Sequence, residues 1–388
     1  MQEFKIGTNE AGQRLDKFLH KYLKEAGNSF LYKMLRKKNI TLNKKKADGR
    51  EVLAVGDEVQ FFFSDETFAK FRGNVVLKEW DKNINGDIRN SKMKVKDFGN
   101  NAAAKDNVNY KKNSEVGYGV KKNNIARQYE LAYEKLKGIE IVFENEHILL
   151  LNKPAGILSQ KSEQKDLSVN EWLIGYLLAN KKITREQLET FKPSICNRLD
   201  RNTSGLMICG KTLIGSQKMN AVIKNREIRK FYRTFVKGKV KENAYIKGYL
   251  KKDEKLNKVF LMETCEDKKN GEFVLIETSY QPIMELDGYT YLEVELITGK
   301  THQIRAHLAS IGHPLLGDEK YGDKNWNHSF KKVNLPKWQM LHSYRLEFPE
   351  MEGIFEELSH KKFIAKEPKI YDLLKNESKS YFNSDIKK

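Results

Sequence analysis

Residues Ser194 to Lys211 read "SICNRLDRNTSGLMICGK". One carboxylate, Asp200, stands between two arginines, Arg198 and Arg201. The segment "DRNTSGL" reads as a sharp turn that feeds an apolar strand, "LMICG". A turn of that kind projects Asp200 at a strand edge. An aspartate placed there can serve as a base or a nucleophile. It can equally close an Asx-turn with an arginine salt bridge, which any sheet can carry.

The flanking sequence extends the pattern. Upstream, "IEIVFENEHILLLNKPAGILS" (139–159) reads as strand, turn, strand and a Pro-Gly break, and "LSVNEWLIGYLLAN" (167–180) as an amphipathic helix. Downstream, "YTYLEVELITG" (289–299) alternates, with Leu292, Val294 and Leu296 on one face and Glu293 and Glu295 on the other. Strands recur with helices between them but without a regular βαβ rhythm. The expected class is α+β: a mixed, mainly antiparallel sheet flanked by helices.

The whole chain has 388 residues, which favours two domains over one. Its formal charge is +19, a field suited to an anionic polymer such as nucleic acid or to a membrane surface, although solvated lysine faces give the same total. The three cysteines form no CxxC pair, so neither a metal site nor a disulfide scaffold is expected. The first residues, "MQEFKIGTNEAG", lack the apolar core of a signal peptide, and no apolar run approaches the length of a membrane span. A cytoplasmic protein facing nucleic acid is the expectation.

Residues 13–25 place Leu15, Phe18, Leu19, Tyr22 and Leu23 on one helical face. Asn28 and Ser29 can cap a second helix that buries Leu31, Met34 and Leu35 and exposes Lys33, Arg36, Lys37 and Lys38. Short β-type runs follow, with Lys44, Lys45 and Lys46 at a turn. The expected domains are 1–64, a small α/β unit; 65–138, a polar linker ending in a helix; 139–375, the larger domain; and 376–388, a C-terminal tail.

Two further segments carry chemistry. In "LITGKTHQIRAHLASIGHPLLGDEKYGD" (296–323), a helix starting near Thr301 presents a polar face that includes His302 and Arg305. Arg305 can pair with an acid in a cleft or lie on the surface. His302, His307 and His313 lack a zinc-ligand spacing. In "REIRKFYRTFVKGKV" (226–240), aromatic and basic residues interleave. An exposed aromatic among cations suits stacking on a base, whereas the same pattern also makes a core strand with lysine edges.

Together these segments resemble the RluA-type pseudouridine synthases. "NRLDRNTSGLMI" resembles the family's aspartate motif, "NKPAG" its leading strand and turn, "GKTHQIRAHLASIGHPLLGDEKYG" its long downstream motif, and "LHSYRLEF" its closing strand. The 1–64 unit is similar to the S4 RNA-binding module. The resemblance implies isomerisation of specific uridines to pseudouridine in structured RNA, foremost large-subunit ribosomal RNA, without a cofactor or a required protein partner and by a monomer. It implies that Asp200 acts at the ribose of a flipped uridine, attacking the sugar or removing its 2′ proton. Arg305 would pair with Asp200, and Tyr232 would lie against the base. Arg198 would enter the space the base leaves. Asn197 and His302 would line the RNA site, and Lys33, Arg36, Lys37, Lys44 and Lys45 would hold phosphates. The family commonly has His where this chain has Asn197. Competing readings are a non-catalytic RNA-binding or ribosome-assembly factor of the same fold, and an aspartate-dependent enzyme acting on a small nucleoside or sugar.

Overall fold

The computed structural model describes residues 1–72, 127–253, 258–262, 273–330 and 335–384. The described chain falls into two compact units, the first built from the N-terminal residues other than Thr8–Glu10 and the second from Thr8–Glu10 together with the chain from Gln128 onward. Most of the expected 65–138 linker lies outside the described residues.

In the first unit, β1 (Gln2–Lys5), β2 (Ile40–Leu42), β3 (Lys45–Lys46) and β4 (Glu58–Phe61) form an antiparallel sheet in the order β1-β4-β2-β3. Helices α1 (Leu15–Tyr22) and α2 (Asn28–Arg36) bury Leu15, Phe18, Leu19, Leu31 and Leu35 with Ile40, Val59 and Phe61 from the sheet. Asn28 and Ser29 lie inside α2, and Gly27 is its N-cap, so the expected capping role falls one residue earlier. Residues 65–72 are not linker: they form α3 (Asp65–Arg72), which packs Phe68 and Phe71 on this core because both rings would otherwise stand in water.

The second unit opens with α4 (127–135) and is organised by one large sheet. Its strands are β5 (Glu140–Glu144), β6 (Ile148–Lys153), β7 (Ser194–Ile195), β8 (Ser204–Gly210), β9 (Arg229–Lys237), β10 (Ala244–Asp253), β11 (Lys258–Met262), β12 (Val274–Glu285), β13 (Tyr289–Leu296), β14 (Leu341–Glu347) and β15 (Lys362–Ile364). The main path runs β11-β10-β12-β13-β9-β14-β8-β6-β5, with β7 on β8 and β15 on β14. Among the described residues β14 and β8 make the parallel pair, and the other neighbours are antiparallel.

Both faces of the sheet's middle are covered, which explains the continuous apolar runs of β6 and β8. Leu149, Leu151, Met207 and Cys209 face one core with α5 (Val169–Ala179) and α8 (Gln303–Ser310). Ile148, Leu150, Leu206 and Ile208 face the other, under α7 (Leu213–Lys224). α5 is buried nearly all round rather than amphipathic, because α4 covers its outer side at Gly175, where an added Cβ would come within 2.2 Å of the Tyr129 carbonyl. α10 (Lys369–Ser384) runs through the start of the expected C-terminal tail.

Candidate active site

The turn before β8 is held from beneath. Lys153, at the end of β6, is fully buried, and its Nζ donates to the carbonyls of Pro154, Ile157 and Arg201 at 3.0, 3.0 and 2.9 Å. Burial pulls its pKa down to about 7, and the nearby Asp200 charge acts in the opposite sense. Three carbonyl acceptors match the three donors of an ammonium. The Gly156 N–H also donates to the Arg201 carbonyl, and Ser159 Oγ donates to the Leu199 carbonyl at 2.6 Å. The "NKPAG" loop is therefore the floor on which residues 199–201 rest. At the start of β8, Gly205 has φ +112°, and a Cβ there would lie 2.2 Å from the Ser343 carbonyl. Only glycine lets β8 approach β14 so closely.

Asp200 is left on top of this floor with 31% of its side chain exposed. Its Oδ2 accepts from Arg305 Nη1 at 3.2 Å, and His302 Nε2 stands 3.8 Å from the same oxygen. Oδ1 has no hydrogen-bond partner among the described residues.

One turn of α8 distributes four consecutive residues of the sequence "HQIR". His302, the N-cap, adopts a left-handed conformation (φ 54°, ψ 16°), and its Nδ1 lies 3.0 Å from the Tyr321 hydroxyl. Gln303 accepts from Thr298 Oγ1 and the Lys300 N–H and donates to the Glu277 carbonyl and Thr278 Oγ1, tying α8 to β12. Ile304 enters the core. Arg305 is buried, and its Nε and Nη2 grip both oxygens of Asp318 at 2.7 and 2.9 Å. That fork leaves Nη1 for Asp200.

Asp318 has no exposed surface. Burial acts to raise its pKa, but the bidentate Arg305 and the N–H groups of Tyr321 and Lys320 hold it below the usual carboxylate range. His302 is shifted down, by burial first and then by the Arg305 and Lys320 charges, against the attraction of Asp200 and Asp318.

The remaining predicted residues are distributed more widely. Tyr232 sits in β9, paired with Val294 and Ser343, and is 6% exposed. Burial pushes its hydroxyl up to about 12, and the charge of Asp200 adds to the shift. Phe231 and Phe235 are buried as well, so the interleaved stretch is a core strand rather than an exposed aromatic face. Arg198 is exposed beside the turn. The Asn197 side-chain oxygen accepts from the Ile208 N–H at 2.7 Å and so fastens the turn to β8. The three histidines weighed as metal ligands diverge, with His307 Nδ1 on Thr278 Oγ1 and His313 Nδ1 on the Lys237 carbonyl. Lys33, Arg36, Lys37, Lys44 and Lys45 are exposed in the first unit.

Lys153, Asp318 and Tyr321 were not singled out from the sequence. For Lys153 a signal existed, since a lysine that ends an apolar run has to find acceptors or leave the core.

Residues 147–310 match the family described as RNA pseudouridylate synthase, a span that contains Lys153, Asp200, Tyr232, His302 and Arg305. The chain is 34% identical over 236 residues to ribosomal large subunit pseudouridine synthase D of Borreliella burgdorferi, covering 60% of this chain and 66% of that protein. It is 27% identical over 356 residues, 90% of each chain, to an uncharacterised RNA pseudouridine synthase of Mycoplasma genitalium. With ribosomal large subunit pseudouridine synthase C of Vibrio vulnificus it shares 24% identity over 322 residues, 83% of this chain and 80% of that one. Asp200, its partner Arg305 and the Lys153 floor thus lie inside the matched span, and the chain belongs to the RluA type of the RNA pseudouridine synthase family.

Proposed function

We propose that this enzyme isomerises uridine to pseudouridine in large-subunit ribosomal RNA and that Asp200 is the reacting carboxylate. The observation that carries the assignment is the position of Asp200. It is a partly exposed acid with one oxygen fixed by a buried, doubly anchored arginine and the other oxygen without a hydrogen-bond partner among the described residues. A ribose brought to Oδ1 meets an oriented anion, and orientation is a large part of what a catalyst supplies.

The reaction breaks the bond from C1′ to N1, turns the uracil, and forms a bond from C1′ to C5. The C5 proton leaves and N1 gains one, so the change is an isomerisation and needs no redox partner. Asp200 starts it at the sugar, by attack at C1′ or by removal of the 2′ proton. A uridine stacked in a helix must first be turned out, at about a few kcal/mol. In this reading Tyr232 lies against the flipped base, and Arg198 fills the vacated space.

The test is Asp200→Asn, assayed on transcribed large-subunit ribosomal RNA. Asparagine keeps the size and loses the charge. Pseudouridine formation should disappear while RNA affinity stays within several-fold. Substantial turnover by the purified variant would falsify the assignment of Asp200.

A further inference from the structure

We propose that Tyr321 locks the tautomer of His302, so that the ring carries its proton on Nε2 and presents it to Oδ2 of Asp200, leaving Oδ1 to meet the substrate. The inference rests on the reading of Asp200 as the reacting carboxylate. The Tyr321 hydroxyl accepts a hydrogen bond from the backbone N–H of Val259 in β11 at 2.9 Å. Its own proton then needs an acceptor, and among the described residues the one within reach is His302 Nδ1, at 3.0 Å. A nitrogen that accepts carries no proton, so the neutral ring bears its hydrogen on Nε2.

The electrostatics at the other nitrogen agree. Nε2 lies 3.8 Å from Asp200 Oδ2. In the opposite tautomer a nitrogen lone pair would face a carboxylate oxygen, which is repulsive. In this one an N–H faces it, and a small approach of the ring on RNA binding completes a hydrogen bond.

The lock is built from the residues that hold Arg305. Asp318 grips Arg305 and also accepts from the N–H groups of Lys320 and Tyr321, so one buried acid fixes both the guanidinium and the turn that presents the tyrosine. The Arg305 guanidinium lies 5.3 Å from the centre of the Tyr321 ring. His302 holds a left-handed backbone conformation that is uncommon for a residue with a side chain, and the Tyr321 bond holds its ring in place there. Burial and the Arg305 charge both favour the neutral imidazole that the lock requires. Oδ2 is thus addressed from two sides, by a cation and by a neutral donor. The carboxylate cannot rotate to offer Oδ2 to the sugar without giving up both.

The experiment reads the ring nitrogens directly. Full-length enzyme labelled with 15N-histidine is examined by NMR, and the His302 signals are assigned by their loss in His302→Gln. The expected wild-type spectrum has Nδ1 unprotonated and Nε2 protonated. Tyr321→Phe, which keeps the ring and removes the hydroxyl, should shift His302 toward a mixture of tautomers. On transcribed large-subunit ribosomal RNA it should lower kcat by about tenfold, the size of one lost hydrogen bond, with KM within about twofold. A protonated Nδ1 in the wild type overturns the proposal, as does a Tyr321→Phe enzyme that keeps either the wild-type tautomer or the wild-type kcat. The spectrum is recorded without turnover, so an active Asp200→Asn enzyme, which sinks the reading of Asp200, is scored separately from the tautomer.

Discussion

At the scale of single residues, the site is an arginine shared by two acids with unequal duties. Asp318 is wholly buried and takes two guanidinium nitrogens, whereas Asp200 is partly open and takes one. Breaking a buried pair by removing one partner typically costs about 3–5 kcal/mol, because the remaining charge has neither water nor a partner. Arg305→Met should therefore abolish pseudouridine formation and also lower the melting temperature by roughly 10 °C. The second effect comes from Asp318, not from Asp200, which can still reach solvent. Activity assays and thermal unfolding check the two separately, and a variant with wild-type turnover would show that Asp200 does not depend on the pair. The sequence made Asp200 and Arg305 visible because each sits in a dense local motif. It hid Asp318 and Tyr321 because their meaning lies in a meeting of side chains across loops. Nothing in "LLGDEKYGD" distinguishes the buried Asp318 from Asp323, which caps the short helix Lys324–Ser329.

At the scale of elements, the loop that follows β6 and the turn that precedes β8 act as one piece. Lys153 holds them together through the Pro154, Ile157 and Arg201 carbonyls, and Gly156 and Ser159 add three more bonds. Lys153→Met keeps most of the length and the apolar stem but takes the ammonium donor from the half-buried Pro154 and Ile157 carbonyls, while the Arg201 carbonyl keeps the Gly156 N–H. An unsatisfied group in the interior costs about 1–3 kcal/mol, and two half-buried carbonyls lie at the low end, so a loss of roughly 2 kcal/mol is expected in denaturant unfolding. Because the floor under Asp200 loosens, kcat should fall while RNA affinity remains within several-fold. A variant of unchanged stability would mean that water replaces the ammonium. The strands themselves were legible from the residues: β6 and β8 as apolar runs, β13 as an alternation. The partners of those strands were not. Glu293 was placed on the polar face of β13, yet it is buried between Arg233 of β9 and Arg345 of β14, strands that lie on the same side of β13 in the sheet and far from it in the sequence. Likewise α5 looked amphipathic because the helix that covers its outer face, α4, is contributed by residues upstream of the large domain's expected start.

At the scale of the molecule, the proposed function assigns chemistry and polymer binding to different residues. The +19 charge of the chain draws RNA from a distance. In the first unit a group of cations stands exposed: Lys33 and Arg36 on α2, Lys37 just after it, and Lys44 and Lys45 at the β2–β3 hairpin. The hairpin turn places Asn43 and Lys44 in left-handed conformations (φ 49° and 63°), which turns the chain back at once and keeps both lysines next to the two-stranded ribbon. None of these five residues is needed for the reaction as proposed. They are suited to phosphate. Each phosphate contact that a cation makes releases counterions, and each one lost should flatten the dependence of log affinity on log salt by about 0.7–0.9. A variant carrying Ala at all five positions should therefore bind transcribed ribosomal RNA more weakly at low salt and with a shallower slope. Its affinity should converge with that of the wild type as salt rises. At saturating RNA it should turn over at the wild-type kcat, since the floor, the arginine clamp and Asp200 are untouched. An unchanged salt slope would remove RNA binding from these five residues. A normal slope loss accompanied by a collapsed kcat at saturation would show that these cations position the uridine as well as the polymer, and the division between capture and chemistry would fail.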